Sequence, residues 1–371
     1  MLRASYESAN AEMGEDCDQS RVGALNLIAK QVGTKECFAA LMRTWPCAMT
    51  EGPSAAKEYL DILRLAIDCK PKSMVAKHSE VLGELLLQLF DLRRIQSSTG
   101  TEHSYDPAKI NEVEDSINEC AIAMIYKLND ATFRPIFLRI LEWATTPSRK
   151  GDNGVLERQT TWYTFLIKFF DTLKVKPRSL YRVSYAKTLL QSIVTSYAGF
   201  IIEDSVKILS AISTTDKESM QLWRRVVLTL HKTFENDQDD FFQNPTHFNP
   251  ISAALISQLA HADQVSLLPE LIPAIAELAV ATDSPAHHQE MNTAILGFMR
   301  SPVPQVRLAA VQCEKVLTEK LGEEWLALLP EMLPFISEAL EDDDEEVERA
   351  VHSLVGRIEE ILGESLTPML Q

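Results

Sequence analysis

The sequence predicts an all-α fold, a HEAT/armadillo-type α-solenoid in which antiparallel helix pairs stack into a superhelix. Three observations carry this. Apolar residues recur at three- and four-residue spacing along nearly the whole chain, without convincing strand alternation. Only 13 of 371 residues are glycine, about half the usual share of roughly 7%, which is too few for turn-rich sandwiches, propellers or Gly-rich nucleotide folds. Near the C-terminal end the sequence also repeats itself. Gln305-Val306-Arg307-Leu308-Ala309-Ala310-Val311 aligns with Glu346-Val347-Glu348-Arg349-Ala350-Val351-His352 at an offset of 41 residues, which brings Met291 onto Met332 and Ile295 onto Ile336. A two-helix period of about 40–47 residues marks HEAT and armadillo arrays. Each pair has two apolar stripes and cannot bury both alone, so neighbours must stack.

Helices are expected at 19–32, 34–49, 54–69 and 72–96. The third opens at Ser54, a cap residue before the stripe Leu60, Leu63 and Ile67. After a break at 97–104, Asp106-Pro107 sets a cap before a first-turn proline and starts 107–128, followed by 130–146. A second break, 146–154, precedes 156–174, 180–200, 204–213 and 216–236. A third spans 236–250. These breaks are expected to be mobile loops rather than linkers between independent domains. The remaining helices are 249–262, 264–281, 285–300, 303–320, 323–341 and 345–362. Pro273 and Pro334 fall inside apolar patterns read as first helices of pairs, where an interior proline bends the helix. The echo of Leu267-Leu268-Pro269-Glu270 in Leu328-Leu329-Pro330-Glu331, 61 residues on, reads as a shared way of starting such a first helix. N-terminal of about residue 260 the period is too degraded to count. The chain therefore divides into degenerate HEAT-like repeats over 1–260 and C-terminal HEAT repeats with an acidic surface over 261–371.

Charge follows that division. The chain has 36 Lys+Arg against 53 Asp+Glu, a net of −17, and residues 261–371 hold 21 of the acids against 6 bases. With 46% apolar and 24% charged residues, wholesale disorder is excluded. A net charge this negative also argues against a protein that coats nucleic acid with its whole surface. Six scattered cysteines without a CxxC pair point to reduced thiols in cytosol or nucleus. There is no secretory h-region and no apolar run long enough to cross a bilayer, so no membrane partner is expected.

Reactive chemistry has little to stand on. No HExxH, CxxC or EF-hand loop occurs, and no GxSxG, GxxxxGK[ST] or GxGxxG. His287 and His288 adjoin on a helix, so their side chains diverge by ~100° and cannot comfortably share an ion. Gly151-Asp152-Asn153-Gly154 reads as a turn. No catalytic residue, cofactor, metal or small-molecule substrate is expected, and the chain is not read as an enzyme.

Two charged features are candidate sites. The acidic run Glu341, Asp342, Asp343, Asp344, Glu345 and Glu346, with Glu348 following, reads either as a solvated turn whose acids favour the next helix's N-terminus or as a docking surface for a basic partner. The acid-free stretch 172–202 carries Lys174, Lys176, Arg178, Arg182 and Lys187 beside Tyr181 and Tyr185. It reads either as a phosphate-tracking strip with stacking aromatics or as a basic helix face. Trp143, Trp162, Phe165, Phe169 and Phe170 sit at helical spacing and belong to the core.

Several runs resemble a known family: LLPEMLPFISEALEDDDEEVERAVHSLVGRIEEILGESL (328–366), SPVPQVRLAAV (301–311), KLNDATFRPIFLRILEWA (127–144), FDLRR (90–94) and AGFIIEDSVKIL (198–209). They resemble the C-terminal region of the large HEAT-repeat subunit of the small-subunit processome, the family of human BAP28 and its fungal counterparts, with the fungal version closer. The resemblance implies a non-catalytic scaffold of nucleus and nucleolus, in the complex that binds the 5′ external transcribed spacer of nascent pre-ribosomal RNA. It implies support of early small-subunit rRNA processing and its coupling to polymerase I transcription. Other processome subunits are the implied partners, with pre-ribosomal RNA or the small nucleolar ribonucleoprotein touched indirectly or through a limited basic surface. Family members are several times longer, so the chain resembles a C-terminal fragment or a truncated gene model, in which Met1 need not be a natural start. Against relatives, Lys174 runs into the counterpart of Ser192, so 175–191 (VKPRSLYRVSYAKTLLQ) reads as an insertion such as a retained intron. The runner-up is a HEAT scaffold of transport-receptor or phosphatase-scaffold type.

Overall fold

The computed structural model describes residues 30–98, 104–146, 154–174, 198–211, 216–237, 240–262 and 268–370, with isolated positions before residue 30. Every regular element among them is helical, and the chain forms two compact units, Met1–Phe169 and Phe170–Gln371.

The first unit begins with α1 (Thr34–Glu51) and α2 (Pro53–Cys69). Gly52 makes the turn between them at φ 122°, a left-handed conformation open to glycine. Pro53 takes the first helical turn, so Ser54 lies inside α2 instead of capping it. The single helix expected over 72–96 is three: α3 (Lys72–Lys77), α4 (Ser79–Phe90) and α5 (Leu92–Ser98). The backbone leaves helical geometry at His78 (φ −109°, ψ 18°) and turns again at Asp91, whose carboxylate accepts from Arg94 Nε at 2.7 Å. Apolar spacing runs on through both breaks, which hid them. Asp106-Pro107 starts α6 (Pro107–Ile125) as expected, although Asp106 makes no side-chain cap bond. α7 (Asp130–Thr145) opens with a capping box in which Asn129 accepts from the Thr132 N–H. α8 (Val155–Lys174) closes the series and carries the boundary between the units.

These helices form two rows. α2 packs on α6 and α1 on α4, which packs on α7. α6 meets α8 where the Thr161 hydroxyl donates to Glu114 (2.8 Å) and Lys168 pairs with Asp115 (3.1 Å). Surface pairs Lys57–Glu112, Arg64–Glu119 and Glu84–Arg139 cross between stacked helices, each spanning 55 residues of sequence. The core between the rows is aromatic: Phe90, Phe133, Phe137, Trp162 and Phe165 are all buried, with ring centroids 5.1–5.9 Å apart where they touch. Of the expected core aromatics, Trp162, Phe165, Phe169 and Phe170 are buried, while Trp143 is half-buried beside Phe90.

In the second unit, residues 198–211 are helical, followed by α9 (Lys217–Glu235), α10 (Pro245–Ser257), α11 (Leu268–Thr282), α12 (Pro285–Phe298), α13 (Pro304–Leu321), the short α14 (Glu323–Leu326), α15 (Leu329–Ala339) and α16 (Glu345–Leu362). One row runs α9, α11, α13, α16 and the other α10, α12, α15. α13 and α16 are both 18 residues long and begin 41 residues apart. The residues paired by the sequence share an environment: Val306 and Val347, Met291 and Met332, and Ile295 and Ile336 are all buried.

Three expectations change. α10 begins inside the stretch read as a loop, because Asn244 caps it by accepting from the Thr246 N–H (3.0 Å) and Pro245 fills the first turn. The span 323–341 splits into α14 and α15, with Pro330 in the first turn of the second. Pro273 and Pro334 do lie inside helices, but α11 stacks in the row of α13 and is the second helix of its pair, whereas α15 is a first helix. The 61-residue echo therefore joined helices from different rows; Leu267 itself lies outside the described residues. So do most of the helices expected at 19–32 and 180–200.

Candidate interaction surface

The acidic run forms the turn from α15 into α16, and the structure sorts its members. Arg307 of α13 grips Asp342 with two parallel bonds, Nε to Oδ2 at 2.7 Å and Nη2 to Oδ1 at 2.6 Å. Its third nitrogen donates to the Ser301 carbonyl at 2.9 Å. Such fork-on-carboxylate pairs fix geometry as well as charge. Asp342 also accepts from the Asp344 N–H (2.9 Å), and its side chain is only 8% exposed. The Arg307 bond holds its carboxyl below the usual aspartate value, and Arg307 is raised in turn. Asp344 caps α16, accepting from the Glu346 N–H (2.9 Å) and the Val347 N–H (3.3 Å). Glu348 lies 3.9 Å from His352. Glu341, Asp343, Glu345 and Glu346 remain: they are exposed, and among the described residues no hydrogen bond or ion pair engages their carboxylates. The run is thus a pinned turn that presents four solvated acids.

The basic strip falls almost wholly outside the described residues. Lys174 is the last residue of α8; Lys176, Arg178, Arg182 and Lys187, with Tyr181 and Tyr185, lie outside the described residues. So do Gly151, Asp152 and Asn153.

Polar groups elsewhere are mostly structural. His287 stacks on Phe248 with centroids 4.0 Å apart, and His288 bonds the Ala279 carbonyl through Nε2 at 2.8 Å; both are buried. Glu114 in α6 is 3% exposed and held by Arg93 Nε (2.9 Å) together with Thr161. Glu314 in α13 is fully buried and accepts from the Trp325 indole at 2.9 Å. Burial pushes its carboxyl up to about 8, so it is protonated at neutral pH. Cys37, Cys47, Cys69, Cys120 and Cys313 are free thiols. No helix among the described residues is long and apolar enough to cross a membrane.

One cluster escaped sequence reasoning. His231 and Glu235 of α9 meet Glu277 of α11, and burial lowers the His231 ring below its ordinary value. The four-residue spacing of His231 and Glu235 was visible, but nothing in the sequence aimed Glu277 at them.

Comparison with known proteins adds a lineage. The BP28CT (NUC211) domain profile matches residues 74–190 and 177–242. The chain is 46% identical over its whole length to U3 small nucleolar RNA-associated protein 10 of Coccidioides immitis and likewise 46% identical to the protein of that name from Aspergillus fumigatus, covering 20% of each. It thus spans about a fifth of the length of these curated relatives. Among solved structures, Kap121p bound to Pho4p overlays 97% of this chain with 37% of its own, at 14% identity and a TM-score of 0.45.

Proposed function

We propose that the chain belongs to the BP28CT (NUC211) family and is a non-catalytic scaffold segment of the small-subunit processome, working in the nucleolus in early pre-ribosomal RNA processing. The observation that carries this reading is the 46% identity along the entire chain to relatives named for the U3 small nucleolar RNA. A stack of helix pairs suits the task, because it offers extended surface without a preformed reactive centre. Other processome subunits and the U3 ribonucleoprotein are the partners, and coupling to polymerase I transcription forms part of the same proposal for the full-length protein.

Within that role, Glu341, Asp343, Glu345 and Glu346 serve as a docking edge for a basic protein segment, held in place by Asp342 and Asp344 and flanked by Glu348. Their solvated carboxylates beside a pinned turn support this. Contact of Lys174, Lys176, Arg178, Arg182 and Lys187 with RNA is the lesser element. The domain match falls in two stretches that overlap at 177–190, which supports 175–191 as an insertion and takes weight from that contact. The division into 1–260 and 261–371 is functional on this reading, the acidic repeats meeting protein.

Purification of the tagged full-length protein, with U3 RNA and co-purifying proteins quantified, should enrich both; a preparation holding neither overturns the proposal. Neutralising the four exposed acids with Gln and Asn should slow partner association at low salt. An unchanged on-rate removes the docking edge while leaving the scaffold reading intact.

A further inference from the structure

We propose that His231, Glu235 and Glu277 form a binding site for a zinc-class divalent cation that braces α9 against α11. His231 and Glu235 stand four residues apart, so both leave the same face of α9. Glu277 reaches them from α11, the next helix of the row. One ligand atom from each lies within 4.8 Å of the other two, and His231 Nε2 is 3.5 Å from Glu235 Oε1. Zinc takes imidazole nitrogen and carboxylate oxygen at about 2.0–2.2 Å, so rotation of these side chains by about an ångström at their tips brings all three onto one ion. The side chains are 22%, 28% and 14% exposed: withdrawn enough to be held, open enough to admit a water as fourth ligand. An imidazole among carboxylates favours zinc-class ions over magnesium or calcium, which prefer all-oxygen shells.

Lys320 of α13 pairs its ammonium with Glu277. Lys320 is the competitor for the site, and at 39% exposure it has room to swing into solvent. The Arg224–Glu270 pair (3.6 Å) joins the same two helices elsewhere.

The test is titration of the 371-residue chain with Zn2+, with Mg2+ as the hard-ion control, followed by calorimetry and thermal denaturation. One equivalent of Zn2+ should bind saturably and raise the melting temperature, and Co2+ in its place should give visible absorption. His231→Gln should weaken Zn2+ binding by at least about tenfold with the circular dichroism of the free protein unchanged. Lys320→Met should tighten it, because the competing ammonium is gone. The proposal fails if no saturable binding occurs, if His231→Gln binds as well as the parent, if Mg2+ acts equally, or if Lys320→Met leaves affinity unchanged or weaker.

Discussion

The first unit and the C-terminal repeats use the same two-row stacking with different regularity. In the first unit α2, α6 and α8 start at residues 53, 107 and 155, and the short α3 and α5 are inserted between longer helices. At the C-terminal end α11, α13 and α16 start at 268, 304 and 345, and α13 and α16 match in length. The cores differ as well. Aromatic rings fill the first unit around Phe137 and Trp162, whereas α11, α13 and α16 meet largely through Ala, Val, Leu and Ile. Small aliphatic side chains allow near-identical layers to repeat at one spacing, while large rings fill gaps left by helices of unequal length. A repeat can survive structurally long after its period has dissolved.

The largest break in that comparison should come from the aromatic core. Trp162 is fully buried and touches Phe137 and Phe165 with centroids 5.1 and 5.8 Å away. Trp162→Ala should cost about 3–5 kcal/mol, measured by urea denaturation, because unequal helices cannot collapse into the space. An effect under about 1 kcal/mol would mean that the rings are not what holds these layers together. Next is the buried ion pair of the same unit. Arg93→Ala strands the Glu114 carboxylate, which is 3% exposed, and should cost about 3 kcal/mol; Arg93→Ala combined with Glu114→Gln should recover much of the loss.

What was legible in the sequence follows the same contrast. The offset that pairs Met291 with Met332 matched two buried residues on neighbouring helices of one row, because one residue type recurs in one environment. Helix breaks at His78 and Asp91 were invisible, since neither carries proline or glycine and the apolar spacing continues across them. Asn244-Pro245 was a readable start signal that the surrounding polar residues obscured. Of the acidic run, composition revealed all seven members but not their division: that Asp342 faces Arg307 depends on a helix 35 residues earlier. His231, Glu235 and Glu277 were hidden for the same reason, a ligand set divided between two helices.

Both regions bury an acid, but Glu114 is held by an arginine whereas Glu314 of the C-terminal repeats is bonded to an indole. Glu314 has its carboxyl raised to about 8 by burial, against an ordinary value of 4.5. A raised acid binds more protons folded than unfolded, so it makes stability fall as pH climbs from about 5 to 8 and level off above that. Glu314→Gln keeps an acceptor for the Trp325 indole and removes the titration. The variant should match the parent near pH 5 and exceed it by pH 8 in denaturation experiments. Parallel pH profiles for the two proteins would contradict a neutral buried carboxyl.

The smallest expected effect tests how the regular layers are pinned. Arg307 and Asp342 join α13 to the turn before α16, the same two helices that show the 41-residue repeat. Arg307→Gln should cost about 1–3 kcal/mol at pH 7, the range for a hydrogen bond to a charged group. The sign with pH follows from Asp342, whose folded value lies below its unfolded one of about 3.9. Its contribution is fully present above that unfolded value and disappears as pH falls through the folded one. The gap between parent and Arg307→Gln should therefore hold from pH 7 to about 5 and narrow as the pH falls below the unfolded value. A gap that persists in acid would show that Arg307 acts through its bond to the Ser301 carbonyl, leaving the regular spacing of the last repeats to packing alone.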